Sequence, residues 1–141
     1  MGRSSTYTDE IGQAICSEVS TCTDSLAQIC ARNSEFPTPK CVNGWRLTYP
    51  SFGLMYAHAK GIQADLLAEE VLSIADDGSK DTIIDEDGKE RCDHEWVQRS
   101  RLKIDARKWI ACKLMPKVYG DKQQVDTNVT INHESSIKDL A

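Results

Sequence analysis

The sequence lacks the motifs that mark the common classes of enzyme and of membrane protein. Its 141 residues contain no Gly-x-x-x-x-Gly-Lys-Ser/Thr loop for a nucleotide phosphate, no Gly-x-Ser-x-Gly turn and no His-Glu-x-x-His motif. No apolar run approaches the length needed to cross a membrane, and the N-terminus lacks the apolar run of a signal peptide. The sequence therefore predicts no enzymatic activity, no cofactor and no membrane partner.

Paired cysteine motifs are also absent. None of the six cysteines belongs to a Cys-x-x-Cys pair, and the three histidines do not complete a zinc pattern. Cys16, Cys30 and Cys112 fall among apolar helical positions, where a thiol acts as a small hydrophobic group. We therefore expect all six thiols to be reduced, in a cytosolic protein without a metal site.

The charged residues are unevenly distributed. The net charge is -5, yet residues 61–94 hold eleven acidic and three basic side chains, and residues 95–120 hold seven basic and two acidic ones. This arrangement favours pairing between the two blocks, within one chain or between chains. The alternative is that both are solvated surfaces that ignore each other.

The clearest helical pattern lies between residues 97 and 115. Its apolar residues recur at spacings of three, four and seven, and Pro116 ends it. So wide an apolar side requires a second helix, in the same chain or in a neighbour. Val97, Ile104, Ala111 and Leu114 share one side, Leu102, Ala106, Trp109 and Met115 lie beside them, and Arg99, Lys103 and Arg107 form a basic stripe.

A second long helix is predicted from Pro50 to Asp76. At about 1.5 Å per residue it would reach roughly 40 Å, too long for a small N-terminal bundle to cover. We expect it to pack antiparallel to the basic helix, with carboxylates facing guanidinium groups, and we expect Asp105 to be an ion-pair member. The predicted oligomerisation residues are Asp65, Glu69, Arg99, Arg101, Lys103, Asp105, Arg107 and Trp109, with Glu70 as a further acidic member of the long helix.

An acidic connector, residues 77–94, joins these helices. Asp85, Asp87 and Gly88 faintly resemble a calcium loop, but Ile83 occupies the position of the first acidic ligand. A β-hairpin with Asp87-Gly88 in its turn fits better.

The N-terminal region shows three short helical patterns. Thr8 can cap the first, a second runs from Asp24 or Ser25 to Arg32, and Asn33 can close it in the left-handed conformation. Thr38-Pro39 opens a third helix, which Pro50 ends. This order is typical of a helix-turn-helix unit, although a plain three-helix bundle fits as well. The candidate DNA-binding residues are Arg32, Thr38, Lys40, Asn43, Gly44 and Arg46.

Residues 125–132 alternate β-branched and polar side chains, which predicts a strand. A single strand cannot satisfy its own backbone groups, so we expect equivalent strands of other copies to close an intersubunit barrel. A floppy tail that happens to alternate is the alternative.

Four short segments carry a family resemblance. Arg-x-Arg-Leu-x-x-Asp-x-Arg-Lys-Trp, at 99–109, is followed by Pro-Lys-x-Tyr-Gly-Asp-Lys, at 116–122. Together with Val42-x-x-Trp45-Arg46 and Pro50-x-Phe52-x-x-x-Tyr56-Ala57-x-Ala59, these segments resemble those of the small terminase subunits of tailed bacteriophages. The resemblance implies a protein of the host cell cytoplasm that recognises double-stranded viral DNA as a homo-oligomeric ring and delivers it to the large terminase subunit, where ATPase and nuclease reside.

The sequence thus predicts a mainly α protein in three parts. Residues 1–49 form a helix-turn-helix domain, residues 50–120 a helical oligomerisation domain with a β-hairpin near 77–94, and residues 121–141 a strand and tail. The N-terminal domain carries no net positive charge, so one copy should bind DNA weakly. Two other classes remain open: a dimeric helix-turn-helix transcriptional regulator, and a scaffold without a nucleic-acid role.

Overall fold

The computed structural model describes residues 6–120 and is mainly helical, as the sequence predicts. The predicted C-terminal strand and its barrel lie outside these residues. The elements are α1 (Asp9–Thr21), α2 (Leu26–Arg32), α3 (Pro39–Thr48), α4 (Pro50–Asp76), β1 (Thr82–Ile84), β2 (Glu90–Cys92), α5 (His94–Leu114) and α6 (Pro116–Tyr119).

Side-chain caps begin the first three helices. The hydroxyls of Thr8, Ser25 and Thr38 each accept a hydrogen bond from a backbone N–H in the first turn of the helix that follows. The predicted left-handed conformation of Asn33 is wrong, since its φ is -111°. Instead, its side-chain amide donates to the carbonyl of Ile29 at 2.8 Å and so satisfies an orphan acceptor at the end of α2.

The N-terminal core is shared by α1, α2, α3 and the first half of α4. Phe52 of α4 is fully buried at its centre, with Trp45 edge-on at 6.3 Å and Tyr7 at 5.6 Å between ring centroids. The apolar core therefore crosses the domain boundary predicted at residue 49. Its buried members are Ile15, Cys16, Val19, Ile29, Cys30, Phe36, Val42, Trp45, Phe52, Tyr56 and Ala59.

The second half of α4 packs antiparallel against α5. Glu70 accepts a hydrogen bond from Arg107, and Gly61 lies against Met115. Residue numbers therefore rise along one helix as they fall along the other. Helix α5 begins at His94, three residues earlier than predicted, because the Asp93 carboxylate caps it. Within residues 6–120, no helix is both long and apolar enough to span a membrane.

The connector between α4 and α5 holds the predicted β-hairpin. Its strands are antiparallel, and Ile83 pairs with Arg91. Gly88 has a φ of +78°, which supplies the left-handed turn that the Asp-Gly pair predicts. The Asp85 carboxylate accepts from the backbone N–H groups of Asp87 and Lys89 and so organises the turn.

Candidate nucleic-acid interface and assembly surfaces

One side of α3 is presented to solvent because the opposite side is anchored in the core. Val42 and Trp45 are buried, which turns Lys40, Asn43 and Gly44 outward. Leu47 completes this stripe at spacings of three, four and seven, and 88% of its surface is exposed. The sequence interpretation missed Leu47, although the same spacing could have identified it.

Arg46 lies at the edge of this exposed side and is held in position. Its guanidinium donates to the side-chain carbonyl of Asn43 at 3.2 Å and lies 4.5 Å from the centroid of the Tyr56 ring. Tyr56 is itself buried in the core. The guanidinium is thus oriented before any ligand binds, which lowers the entropy cost of using it as a contact.

Two of the predicted DNA-binding residues have structural roles. The Thr38 hydroxyl caps α3 by accepting from the N–H of Cys41 at 3.4 Å. Arg32, on α2, forms ion pairs with Glu18, at 2.9 Å, and with Asp24. Hydrogen bonds to Glu18 and Asp24 raise the pKa of Arg32, and the two carboxylates already neutralise its charge.

The outer face of α5 differs from the one predicted. Ala111 is buried and Ile104 half-buried against α4, but Leu102 and Trp109 are 65% and 64% exposed. The sequence interpretation placed these two beside the inward residues. Leu102 is two positions from Ile104, a rotation of about 200° around the helix, so it points away from α4. The described chain leaves exposed an apolar stripe with spacings of four and seven, which consists of Leu102, Ala106 and Trp109.

The predicted charge pairing between α4 and α5 is formed by one pair within residues 6–120. Glu70 accepts from Arg107 at 3.1 Å, with side chains 33% and 24% exposed. Asp65 instead accepts from the Tyr119 hydroxyl at 2.7 Å. Glu69 is exposed and faces no guanidinium within 4 Å in the described chain.

The remaining charged residues of α5 point to solvent. Arg99 lies 3.9 Å from Glu95 of its own helix, and the ammonium of Lys103 lies 5.6 Å from the Trp96 ring centroid. No cation among residues 6–120 lies within 4 Å of Asp105, so its ion pair stays a prediction about contacts between copies. Arg101, Lys108 and Lys113 are exposed as well.

Gln63 of α4 connects this helix to the N-terminal bundle by hydrogen bonds, a role that the sequence did not predict. Only 2% of its surface is exposed, and its amide donates to the carbonyls of Cys22 and Asp24 at 3.0 Å each. These carbonyls belong to the link between α1 and α2, where no backbone N–H of a helix donates to them. A lone glutamine on a helix face carries no sequence signal for such a contact.

Replacing Gln63 with leucine is expected to reduce the free energy of unfolding by about 1–3 kcal/mol, because two carbonyls would be left without their donor. Chemical denaturation followed by circular dichroism measures this. The control is Gln13→Leu on exposed α1 surface, which should change the value by less than about 0.5 kcal/mol. Equal effects in the two variants would contradict the assigned role.

Glu70 links three parts of the chain. Its hydrogen bond from Arg107 holds the pKa of its carboxyl below the ordinary value, and the Thr23 hydroxyl of the α1–α2 link adds to this lowering. A lowered folded-state pKa contributes stability above the unfolded-state value, and this contribution is lost as pH falls through the folded-state value.

We expect Glu70→Gln to destabilise the protein at neutral pH and to have a smaller effect near pH 3, roughly a unit below an ordinary glutamate pKa. Denaturation curves at both pH values measure the difference. Glu35→Gln, at an exposed position, is the matched control. A Glu70→Gln deficit that is the same at both pH values would argue against an ionised pair.

Comparisons with known proteins agree with these features. Residues 7–126 match the family described as bacteriophage Sf6, terminase small subunit-like, whereas no curated protein sequence matches the chain. Three crystal structures of the terminase small subunit gp1 of the bacterial virus Sf6, each with one substitution, are similar to it. The first is 32% identical, with a TM-score of 0.68 over 87% of this chain and 89% of that chain.

The second and third are each 31% identical over 87% of this chain and 84% of theirs, with TM-scores of 0.68 and 0.67. The agreement extends over most of both chains in sequence and in fold. This protein therefore belongs to the terminase small subunit family of bacteriophage DNA-packaging proteins.

Proposed function

We propose that this protein initiates packaging of viral DNA as a non-catalytic recognition subunit in the host cytoplasm. In this proposal α2 and α3 form a helix-turn-helix unit, several copies assemble into a ring, and the ring delivers DNA to the large terminase subunit. The observation that carries the proposal is the stripe of Lys40, Asn43, Gly44 and Leu47, turned outward on a helix whose other side is buried.

The chemistry of this stripe suits a DNA groove. Gly44 has no side chain and its surroundings are open in the described chain, so the helix backbone there can approach a groove closely. Lys40 and Arg46 can neutralise phosphates or bind guanine, and Asn43 can bind adenine. Arg32 is not needed in this contact, because Glu18 and Asp24 already engage it.

The charge balance explains why assembly is required. Residues 1–60 hold five basic and five acidic side chains, so a single copy gains little from phosphate neutralisation. Several weak units on one ring would bind DNA together, because linkage makes each further contact intramolecular.

The proposal of a ring is supported by the two unlike outer surfaces of the α4–α5 pair. The outer surface of α4 carries Glu69, Leu72 and Asp76, whereas that of α5 carries Leu102, Trp109 and flanking cations. The two are opposite in charge, and each has an exposed apolar centre. Contact between unlike surfaces of successive copies is head-to-tail and forms a ring when the rotation between copies closes, whereas the dimeric regulator would use one self-complementary surface.

Native mass spectrometry together with DNA binding by fluorescence anisotropy tests this proposal. We expect a closed assembly larger than a dimer, and a large loss of affinity in a variant with Lys40, Asn43 and Arg46 changed to alanine. Lys89→Ala with Lys117→Ala removes two positive charges elsewhere and serves as control. A species no larger than a dimer would favour the regulator, and intact DNA binding by the triple variant would favour the scaffold.

Leu47 gives a separate prediction about base recognition. An apolar side chain in the major groove can contact the methyl group of thymine. Replacing thymine by uracil in an alternating adenine–thymine duplex removes that methyl and keeps the charge. We expect weaker binding of the uracil duplex by the wild type, and equal binding of both duplexes by Leu47→Ala. A wild type that binds both equally would show that Leu47 does not reach the bases.

The contact with the large subunit is proposed to lie in the strand or tail after Tyr119. Deleting residues 133–141 should weaken binding of the purified large subunit, measured by co-sedimentation, and leave DNA binding unchanged. Unchanged binding of the large subunit by the truncated chain would refute this location.

A further inference from the structure

The β-hairpin projects from the α4–α5 pair with no partner along its strands among residues 6–120. Both strands are exposed throughout, and Ile84 retains 74% of its accessible surface. A two-stranded hairpin with nothing packed on it is at best marginally stable in water. This hairpin nevertheless has an ordered turn and a defined register.

The base of the hairpin is fixed to its own α5. The ammonium of Lys80 lies 4.8 Å from the Trp96 ring centroid, and the N–H of Asp93 donates to the carbonyl of Asp81 at 2.7 Å. Beyond this base the described strands pack on neither α4 nor α5. The hairpin is therefore held at one end and free to contact another molecule along its length.

Its charge indicates what that molecule is. Residues 77–93 hold seven acidic and three basic side chains, and the carboxylates of Glu86 and Glu90 are exposed without an ion pair in the described chain. Helix α5 holds six basic and two acidic side chains, and its exposed Arg101 also has no partner there. The hairpin does not fold back onto its own α5, so the two surfaces of opposite charge can meet only between copies.

We propose that the hairpin clasps the next copy of this chain, an inference that rests on the ring proposed above. Ile84 packs on Leu102 of the neighbouring α5, and Glu86 and Glu90 pair with Arg99 and Arg101 of that helix.

The dimensions and the position of the hairpin agree with this contact. Three-residue strands reach about 10 Å, and the stretch of α5 from His94 to Leu102 rises about 12 Å. The hairpin leaves the end of the helix pair where α4 ends and α5 begins. In a head-to-tail ring, the first turns of the neighbouring α5 lie at that same end.

A charge exchange between separate chains tests the clasp. One variant carries Glu86→Lys and Glu90→Lys on the hairpin, and the other carries Arg99→Glu and Arg101→Glu on α5. Each alone should raise the concentration needed for half-assembly by about tenfold or more, since like charges then meet at every interface. Mixed in equal amounts, the two should assemble at nearly the wild-type concentration, because each hairpin can then face an oppositely charged α5.

A control with Glu10→Lys and Glu35→Lys makes the same charge change on the N-terminal bundle and should assemble normally. Native mass spectrometry of tagged chains also reveals whether the mixed assembly alternates the two variants. The proposed hairpin contact would be overturned, and the ring left intact, if the hairpin variant assembled normally. The same holds if mixing the two variants did not restore assembly. A wild type that never assembles would overturn the ring itself.

Discussion

Replacing both Leu102 and Trp109 with glutamate should dissociate the assembly into single chains. These side chains form the exposed apolar stripe of α5, and the proposed neighbouring surface carries Glu69 and Asp76. The change removes the apolar contact and brings carboxylates to face carboxylates. Because avidity would be lost with the ring, DNA affinity should fall by about 10²–10⁴-fold. Sedimentation velocity and fluorescence anisotropy measure the two effects.

A control variant must carry the same added charge elsewhere. Gln13→Glu with Val118→Glu places two carboxylates at other exposed positions and should keep both ring and DNA affinity. Circular dichroism should show the same helix content in both variants, because neither substitution touches the core. A Leu102/Trp109 variant that still forms the wild-type assembly would place the subunit interface on another surface.

Phe52→Ala should cause the largest loss of stability in the chain. Phe52 is fully buried where α1, α3 and α4 meet, and its ring contacts those of Tyr7, Trp45 and Tyr56. Truncating a buried phenylalanine costs about 3–5 kcal/mol through lost apolar burial and a residual cavity. Since small domains are stable by roughly 5–15 kcal/mol, the N-terminal bundle would lose much of its stability.

Thermal and chemical denaturation measure this effect, and Leu54→Ala is the matched control. Leu54 lies two residues further along α4 and is exposed, so its loss should change the free energy of unfolding by less than about 0.5 kcal/mol. A shared core also predicts that Phe52→Ala weakens DNA binding, because Trp45 and Tyr56 support α3 and Arg46. Similar stabilities of the two variants would show that the bundle does not depend on the Phe52 side chain.

Local sequence signals determined most of the secondary structure. Thr8, Ser25 and Thr38 cap their helices through side-chain oxygens that act within one turn, and Asp87-Gly88 forms its turn through the backbone freedom of Gly88. These effects depend on a few neighbouring residues, so the sequence reveals them directly. The family resemblance likewise rests on contiguous motifs.

The tertiary structure decided which side of each helix is covered. Apolar spacing on α5 could not tell that Ile104 and Ala111 face α4 while Leu102 and Trp109 face outward, because all of them fit a helical period. It also could not show that Gln63 bonds the α1–α2 link, or that Arg107 rather than Arg99 reaches Glu70. These hydrogen bonds join residues 37 to 41 positions apart, and their partners are set by how α4 packs on its neighbours, which no local pattern encodes.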